Sequence, residues 1–143
     1  MILKDEAATA ELGANLARRL RPGDVITLSG GLGVGKTTLV RGMLRALGHE
    51  GEVPSPSFAI VQPYEHLNPP VLHVDLYRLE DPEELMELGL DMMGDGVLLI
   101  EWPEHGGEGA FADALRLNIA MEEGEGMRRL TWTVPSGWEG RWP

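Results

Sequence analysis

The feature that most constrains the fold is one glycine-rich stretch, residues 30–37, which reads Gly-Gly-Leu-Gly-Val-Gly-Lys-Thr. It matches the pattern G-x-x-x-x-G-K-[ST] at every fixed position. Its glycines allow the backbone to curl so that successive N–H groups point at an anion, and a helix that starts directly behind the loop adds the positive end of its dipole. The stretch therefore predicts a phosphate-binding loop between a buried strand and a helix.

The loop also predicts the partners of its side chains. Lys36 is one of only two lysines in the chain and would reach the β- and γ-phosphates, while the Thr37 hydroxyl would bind Mg²⁺. A GTPase is the weaker interpretation of this loop, because the Asn-Lys-x-Asp guanine signature is absent from the sequence. Thr38 either bonds the α-phosphate or lies on the helix surface. The predicted phosphate-binding residues are Gly30, Leu32, Gly33, Val34, Gly35, Lys36, Thr37 and Thr38.

Apolar runs and helical patterns alternate along the chain. Helices are predicted at residues 5–21, 36–47 and 81–88, the last from an Asp-Pro-Glu-Glu start. Strands are predicted at residues 25–29, 58–64, 71–77, 97–101, 115–121 and 129–134. The order predicts an α/β fold, a P-loop NTPase-like and mostly parallel central sheet flanked by helices, with a C-terminal β-hairpin. The length of 143 residues suits a single domain over residues 1–143.

Composition excludes several classes of protein. The net charge of −11 repels phosphate backbones, so strong autonomous binding of nucleic acid is not expected. The pair Arg128 and Arg129 is interpreted as surface. The chain has no cysteine, which rules out disulfides, zinc–cysteine sites and thiol catalysis. No apolar run approaches a membrane span, and the first residues lack a secretory signal, so we expect a cytoplasmic protein.

Two acidic residues directly follow strand-like runs, Asp75 after residues 71–74 and Glu101 after residues 97–100. Open α/β sheets place ligands at the carboxyl ends of their strands. A carboxylate within an apolar run needs a partner, and Mg²⁺ provides one. One of the two acids would therefore bind Mg²⁺ and the other would orient the attacking water, but the residues alone do not separate these roles.

Further segments along residues 5–104 resemble the TsaE family of bacterial ATPases. They are Asp-Glu-Ala-Ala-Thr at residues 5–9, the loop and helix at 33–42, Ser-Pro-Ser-Phe at 55–58, His-Val-Asp-Leu-Tyr-Arg-Leu at 73–79, Asp-Pro-Glu-Glu-Leu at 81–85 and Glu-Trp at 101–102. The family usually has an acidic residue after the first loop glycine, where this chain has Gly31.

The resemblance implies roles for individual residues. Glu101 would bind Mg²⁺, and Asp75 would act on the attacking water as a catalytic residue beside Lys36. Thr9 would lie near the adenine or face solvent, and Trp102 would pack beside the nucleotide or in the core. Ser57 would be a switch hydroxyl that senses the γ-phosphate, or simply part of a Pro-rich turn. For His73 only packing or a structural hydrogen bond is expected.

The resemblance also implies a function. Hydrolysis of ATP would serve the TsaD–TsaB complex, which transfers threonylcarbamoyl to the adenosine beside the anticodon of certain tRNAs, so this chain would meet tRNA only through that complex. Two alternatives remain open: a small-molecule kinase, although the sequence lacks an Arg-rich lid, and a nucleotide-switched binding module with negligible turnover.

Overall fold

The computed structural model describes residues 1–31, 33–53, 61–90, 96–107, 109–124 and 126–141. Two of the predicted site residues, Leu32 and Ser57, lie outside these ranges, as do the first three residues of the strand predicted at 58–64. The described strands are β1 Ile2–Leu3, β2 Val25–Ser29, β3 Val61–Tyr64, β4 Val71–Asp75, β5 Val97–Glu101, β6 Leu115–Met121 and β7 Arg128–Thr133. The described α-helices are α1 Glu6–Ala17, α2 Lys36–Ala46 and α3 Glu84–Glu87.

The seven described strands form one sheet in the order β1-β7-β6-β2-β5-β4-β3. The four central strands, β6, β2, β5 and β4, run parallel to one another. The C-terminal hairpin adds β7 antiparallel to β6, and β3 pairs antiparallel with β4 at the other side. The predicted fold class, an α/β sheet with a parallel centre and a C-terminal hairpin, is confirmed.

Helices α1 and α2 cover one face of the sheet and pack closely on each other. A methyl group on Gly42 of α2 would lie 2.3 Å from the Ala10 carbonyl oxygen, and one on Gly13 of α1 would lie 2.3 Å from that of Leu39. Large side chains that are wholly buried under these helices include Ile26 and Leu28 of β2 and Leu99 of β5. This packing holds the start of α2 against the end of β2.

Shorter segments cover part of the opposite face. Leu76, Leu79 and Leu90 form a second apolar cluster with Val74 and Ile100 of the central strands. The segment between β4 and β5 includes α3, and a 3₁₀ helix, Pro103–Gly106, follows β5. None of the helices in the described ranges is both long and apolar enough to cross a bilayer.

Several predicted element ends are wrong. Helix α1 stops at Ala17 rather than at residue 21, because its last turn tightens to i→i+3 bonds such as Arg19 N–H to the Leu16 carbonyl. The Arg19 carbonyl then accepts from Arg141 at 2.8 Å. Strand β4 ends at Asp75 rather than at residue 77. The Tyr77 N–H donates to the Asp75 carboxylate instead of to a neighbouring strand.

The helix predicted at residues 81–88 is shorter than expected. Asp81 accepts from the Glu83 N–H at 3.0 Å, as a capping residue does, but the bonds that follow it, such as Glu84 N–H to the Asp81 carbonyl, are of the i→i+3 type. The α-helical turn is limited to Glu84–Glu87. Strand β7 begins at Arg128, one residue before the predicted start.

Candidate functional site

The glycine-rich loop connects β2 to α2, as the sequence predicts. Helix α2 starts after Gly35, whose φ of +112° is a left-handed conformation that side chains rarely adopt, and no side chain caps the helix within the described residues. Gly30 is equally constrained, because its φ is +141° and an added methyl would lie 2.3 Å from the Ile119 carbonyl oxygen. The loop therefore rests on β6 while the amino end of α2 is left available to an anion.

Lys36 is the first residue of α2, and its side chain turns back to the start of the loop. Its side chain is buried, with the residue only 5% exposed, and its Nζ donates to the Gly30 carbonyl at 2.6 Å. The same Nζ lies 3.7 Å from the centroid of the Trp102 ring. Burial lowers the pKa of Lys36, and the nearby carboxylates, Glu101 first, oppose that shift. The loop thus holds a desolvated cation where a phosphate would enter.

Two carboxylates face this cation from neighbouring strands. Asp75 ends β4 and Glu101 ends β5, the two are register partners, and their residues are 4% and 3% exposed. Glu101 Oε2 accepts from the Thr37 hydroxyl at 3.4 Å, whereas Asp75 Oδ1 accepts from the Tyr77 N–H at 2.8 Å. Burial raises the pKa of Asp75, and the bond from Tyr77 opposes the shift. Of the two acids, Glu101 is therefore the one that accepts a hydrogen bond from Thr37.

His73 also belongs to this group, through a structural hydrogen bond of the kind the sequence analysis expected, but its partner, Glu101, was not predicted. Its ring is wholly buried in β4, and its Nε2 lies 2.6 Å from Glu101 Oε2. A usable signal existed, because residues two apart in a strand face the same side, so His73 must share the side of Asp75. What the sequence alone does not provide is the pairing of β4 with β5.

Two hollows open on either side of the loop. The larger, of 410 Å³, is lined by Gly33, Gly35, Lys36, Thr37, Thr38, Asp75, Tyr77, Arg78, Glu101 and Trp102. The smaller, of 290 Å³, is lined by Glu6, Thr9, Gly33, Val34, Gly35, Thr38, Gly126 and Arg128. Gly33, Gly35 and Thr38 line both, so the hollows adjoin across the loop. Most of the predicted site residues that the structure describes line one or both hollows, and Gly30 holds Lys36 from the inner side of the loop.

Trp102 and Thr9 each had two interpretations. Trp102 is partly exposed, lines the larger hollow and packs against Tyr77 with ring centroids 5.0 Å apart. It also packs against the second apolar cluster, so it lies at the border between the hollow and the core. Its backbone is left-handed, with φ of 58°, which is a strained conformation for a tryptophan. Thr9 is buried rather than facing solvent, and it lines the smaller hollow.

The interpretation of Arg128 as a surface residue is wrong. Its Nε donates to the Val34 carbonyl at 2.8 Å, across 94 residues of chain, and its side chain lines the smaller hollow. Its neighbour Arg129 points to the other face of β7, is exposed and pairs with Glu122. The alternation of sides along a strand separates these two arginines, but only the folded hairpin brings Arg128 to the loop.

The residues that line this site fit a nucleoside triphosphate with Mg²⁺. Mg²⁺ prefers oxygen ligands and is commonly held by one or two carboxylates together with substrate phosphates and water. The Thr37 hydroxyl and the Glu101 carboxylate are such ligands and already lie within 3.4 Å of each other. Lys36 and the start of α2 supply the positive partners that the phosphates require.

Comparison with known proteins agrees with this architecture. Residues 3–130 match the family model described as threonylcarbamoyl adenosine biosynthesis protein TsaE. The tRNA threonylcarbamoyladenosine biosynthesis protein TsaE of Streptomyces coelicolor is 42% identical over 136 residues, which are 92% of this chain and 92% of that protein. The protein of the same name from Bacillus subtilis is 39% identical over 133 residues, covering 92% of this chain and 80% of its own.

A solved structure is similar over nearly the whole chain. The crystal structure of Bacillus subtilis YdiB has a TM-score of 0.80 at 30% sequence identity, and the match covers 99% of this chain and 88% of that one. The family model spans the phosphate loop, both carboxylates and the first strand of the hairpin. This chain belongs to the TsaE family of threonylcarbamoyl adenosine biosynthesis proteins.

Proposed function

We propose that this chain binds ATP with Mg²⁺ at the loop between β2 and α2 and hydrolyses it in support of threonylcarbamoyl transfer to tRNA. Membership of the TsaE family supports a role in tRNA threonylcarbamoyladenosine biosynthesis. The observation that carries the ATPase proposal is the convergence of one cation, one hydroxyl and two carboxylates, from Lys36, Thr37, Asp75 and Glu101, at one edge of the sheet.

Each residue has a part in the proposed reaction. The Lys36 ammonium leaves the Gly30 carbonyl and binds the β- and γ-phosphate oxygens, where it stabilises charge as the γ-phosphoryl group is transferred. Thr37 and Glu101 would hold Mg²⁺, which supplies further charge neutralisation when bound. Asp75 orients the attacking water and accepts its proton. The raised pKa of Asp75 suits it to that exchange.

Trp102 and the smaller hollow have binding roles in this proposal. Trp102 stands over Lys36 and excludes water from the phosphates. The smaller hollow, between Thr9 and Arg128, receives the nucleoside. In the full proposal, the partner is the TsaD–TsaB complex, which carries out the transfer to tRNA in the cytoplasm, and this chain does not bind tRNA by itself.

The test combines calorimetry with a phosphate-release assay. Wild-type protein should bind a non-hydrolysable ATP analogue with Mg²⁺, and Lys36→Ala should weaken that binding by about 10- to 100-fold, since a hydrogen bond to a charged group contributes about 1.5–3 kcal/mol. Lys4→Ala is the matched control, because Lys4 is the other lysine of the chain and is exposed. Equal affinity of Lys36→Ala and wild type would reject the assignment of the loop.

The release assay separates the three candidate activities. Phosphate release that requires the added TsaD–TsaB complex, or that rises with it, supports the proposal. Stoichiometric binding without release, even with the complex, supports a nucleotide-switched binding module. ATP loss that depends on an added metabolite supports a kinase.

A further inference from the structure

We propose that His73 is a positioning residue of this site, one that fixes the Glu101 carboxylate in the orientation it needs to bind the metal. The inference rests on the proposed function, in which Glu101 and Thr37 hold Mg²⁺. It assigns to His73 no contact with nucleotide or metal, only action through Glu101.

The first argument is that stability of the fold does not require a histidine at this position. His73 is wholly buried in a central strand, and among the described residues its Nδ1 is one of two buried side-chain polar atoms without a hydrogen-bond partner. A buried polar atom left unpaired costs free energy that an apolar side chain would not. The remaining bond, from Nε2 to Glu101, is thus the one polar contact that a leucine here would lose.

The second argument is geometric. Glu101 Oε2 is held on one side by His73 Nε2 at 2.6 Å and on the other by the Thr37 hydroxyl at 3.4 Å. A glutamate side chain rotates about three bonds, and these two contacts select one orientation from the many it can adopt. A carboxylate oxygen accepts, so His73 Nε2 donates this bond, and Nδ1 lies on the side of the ring away from the carboxylate. His73 therefore acts as a fixed donor behind the proposed metal ligand.

The third argument comes from the location of both residues. They lie in adjacent parallel strands, where His73 is the register partner of Leu99, two residues before Glu101. A donor in a central strand is more rigid than one in a loop, so it preserves the orientation of Glu101 before any ligand arrives. Outer partners of this kind orient metal-binding side chains, and their loss typically weakens metal affinity by about 10- to 100-fold.

The experiment measures how much Mg²⁺ strengthens nucleotide binding. Calorimetry with a non-hydrolysable ATP analogue is performed with Mg²⁺ and again with a chelator, and the ratio of the two affinities is compared between variants. His73→Leu should reduce this ratio by about 10- to 100-fold, while affinity in the chelator stays within about twofold of wild type. His73→Gln should recover much of the ratio, because its amide NH₂ can donate from a position close to that of Nε2.

Two further variants distinguish positioning from general destabilisation. Val71→Ala removes buried apolar volume from the same strand and side, so it should lower the melting temperature and leave the Mg²⁺ ratio unchanged. In a Glu101→Gln background, His73→Leu should reduce the ratio little further, because the residue through which His73 acts is already altered.

The outcomes separate this inference from the proposed function. An unchanged Mg²⁺ ratio in His73→Leu, or additive losses in the double variant, would overturn the positioning role while leaving ATP binding intact. Equal losses with Mg²⁺ and with chelator would show that His73 is merely structural. If wild-type protein shows no Mg²⁺-dependent nucleotide binding, the proposed function fails and takes this inference with it.

Discussion

At the residue scale, burial shifts the pKa of two charged side chains of the phosphate site in opposite directions. It lowers the pKa of Lys36 and raises the pKa of Asp75, so in each case the charged form is disfavoured. Both groups nevertheless face the same hollow, where a triphosphate with its metal would offer new partners of opposite charge. The burial of these two charged groups therefore lowers the stability of the folded protein and prepares the site for a ligand, a common arrangement in functional sites.

Asp75→Asn should make the protein more stable at pH 7 and abolish hydrolysis. Because the pKa of Asp75 is raised above its ordinary value of 3.8, the folded state holds the proton more tightly than the unfolded state does. Stability therefore falls as the pH rises from 3.8 through the raised pKa. The gain from Asn should be present at pH 7 and vanish below the ordinary carboxyl pKa.

Thermal unfolding over a pH series measures this effect. The exposed Glu87→Gln is a suitable control and should leave the melting temperature unchanged at each pH. A variant Asp75→Asn that is less stable than wild type at pH 7 would show that the carboxylate is a net stabilising group, contrary to this account.

At the element scale, the C-terminal hairpin supports the phosphate loop. Gly30 touches the β6 backbone, and Arg128 of β7 donates to the Val34 carbonyl. The hairpin therefore does more than extend the sheet, because it contacts the loop at Gly30 and at Val34. Sequence reasoning predicted the hairpin from two strand-like runs that flank a Gly-Glu-Gly turn, but interpreted Arg128 as surface. An arginine in a short strand near a turn has no local feature that reveals a distant carbonyl.

We expect Arg128→Ala to weaken nucleotide binding by about 3- to 10-fold, because one hydrogen bond that holds the loop is lost and a typical hydrogen bond contributes about 0.5–1.5 kcal/mol. Arg129→Ala is the matched control, since that neighbouring arginine is exposed and faces the other way. Calorimetry with the ATP analogue measures both. Equal effects of the two substitutions would attribute the change to surface charge rather than to the bond with Val34.

The contact between α1 and α2 gives a prediction that opposes helix propensity. Gly42→Ala should stabilise an isolated helix by about 1 kcal/mol. In the fold, the new methyl would lie 2.3 Å from the Ala10 carbonyl oxygen, so the helices must separate, and overpacking of this kind costs about 1–3 kcal/mol. Urea unfolding should show a net loss of stability. Gly137→Ala, where an added methyl meets nothing within 4 Å, should change stability little.

At the scale of the whole molecule, the net charge of −11 limits the partners that the chain can bind alone. We expect isolated protein to bind unmodified tRNA more weakly than about 10 µM at 0.15 M salt, because its surface repels the phosphate backbone. Fluorescence anisotropy of a labelled tRNA measures this. Submicromolar binding by the isolated chain would contradict the proposal that it meets tRNA only through its partners.

Local features determined much of this protein. The order of glycines, lysine and threonine in one short stretch is sufficient to predict the phosphate loop, because backbone conformation and helix start depend on near neighbours. Apolar runs followed by an acid identify Asp75 and Glu101 as candidate site residues, although the strand predicted at 71–77 runs two residues past Asp75. Helix ends were predicted less well, since the last turn of α1 depends on Arg141, far along the chain.

Tertiary structure decided which side chains of different elements come into contact. Glu101 is the acid beside Thr37, and His73 is its partner, because β5 lies between β2 and β4 in the sheet. Arg128 reaches the loop because β6 pairs with β2 and thereby places the hairpin beside the end of β2, where the loop begins. No local pattern encodes strand order or the meeting of residues 94 positions apart, since these follow from burying two faces of one sheet at once.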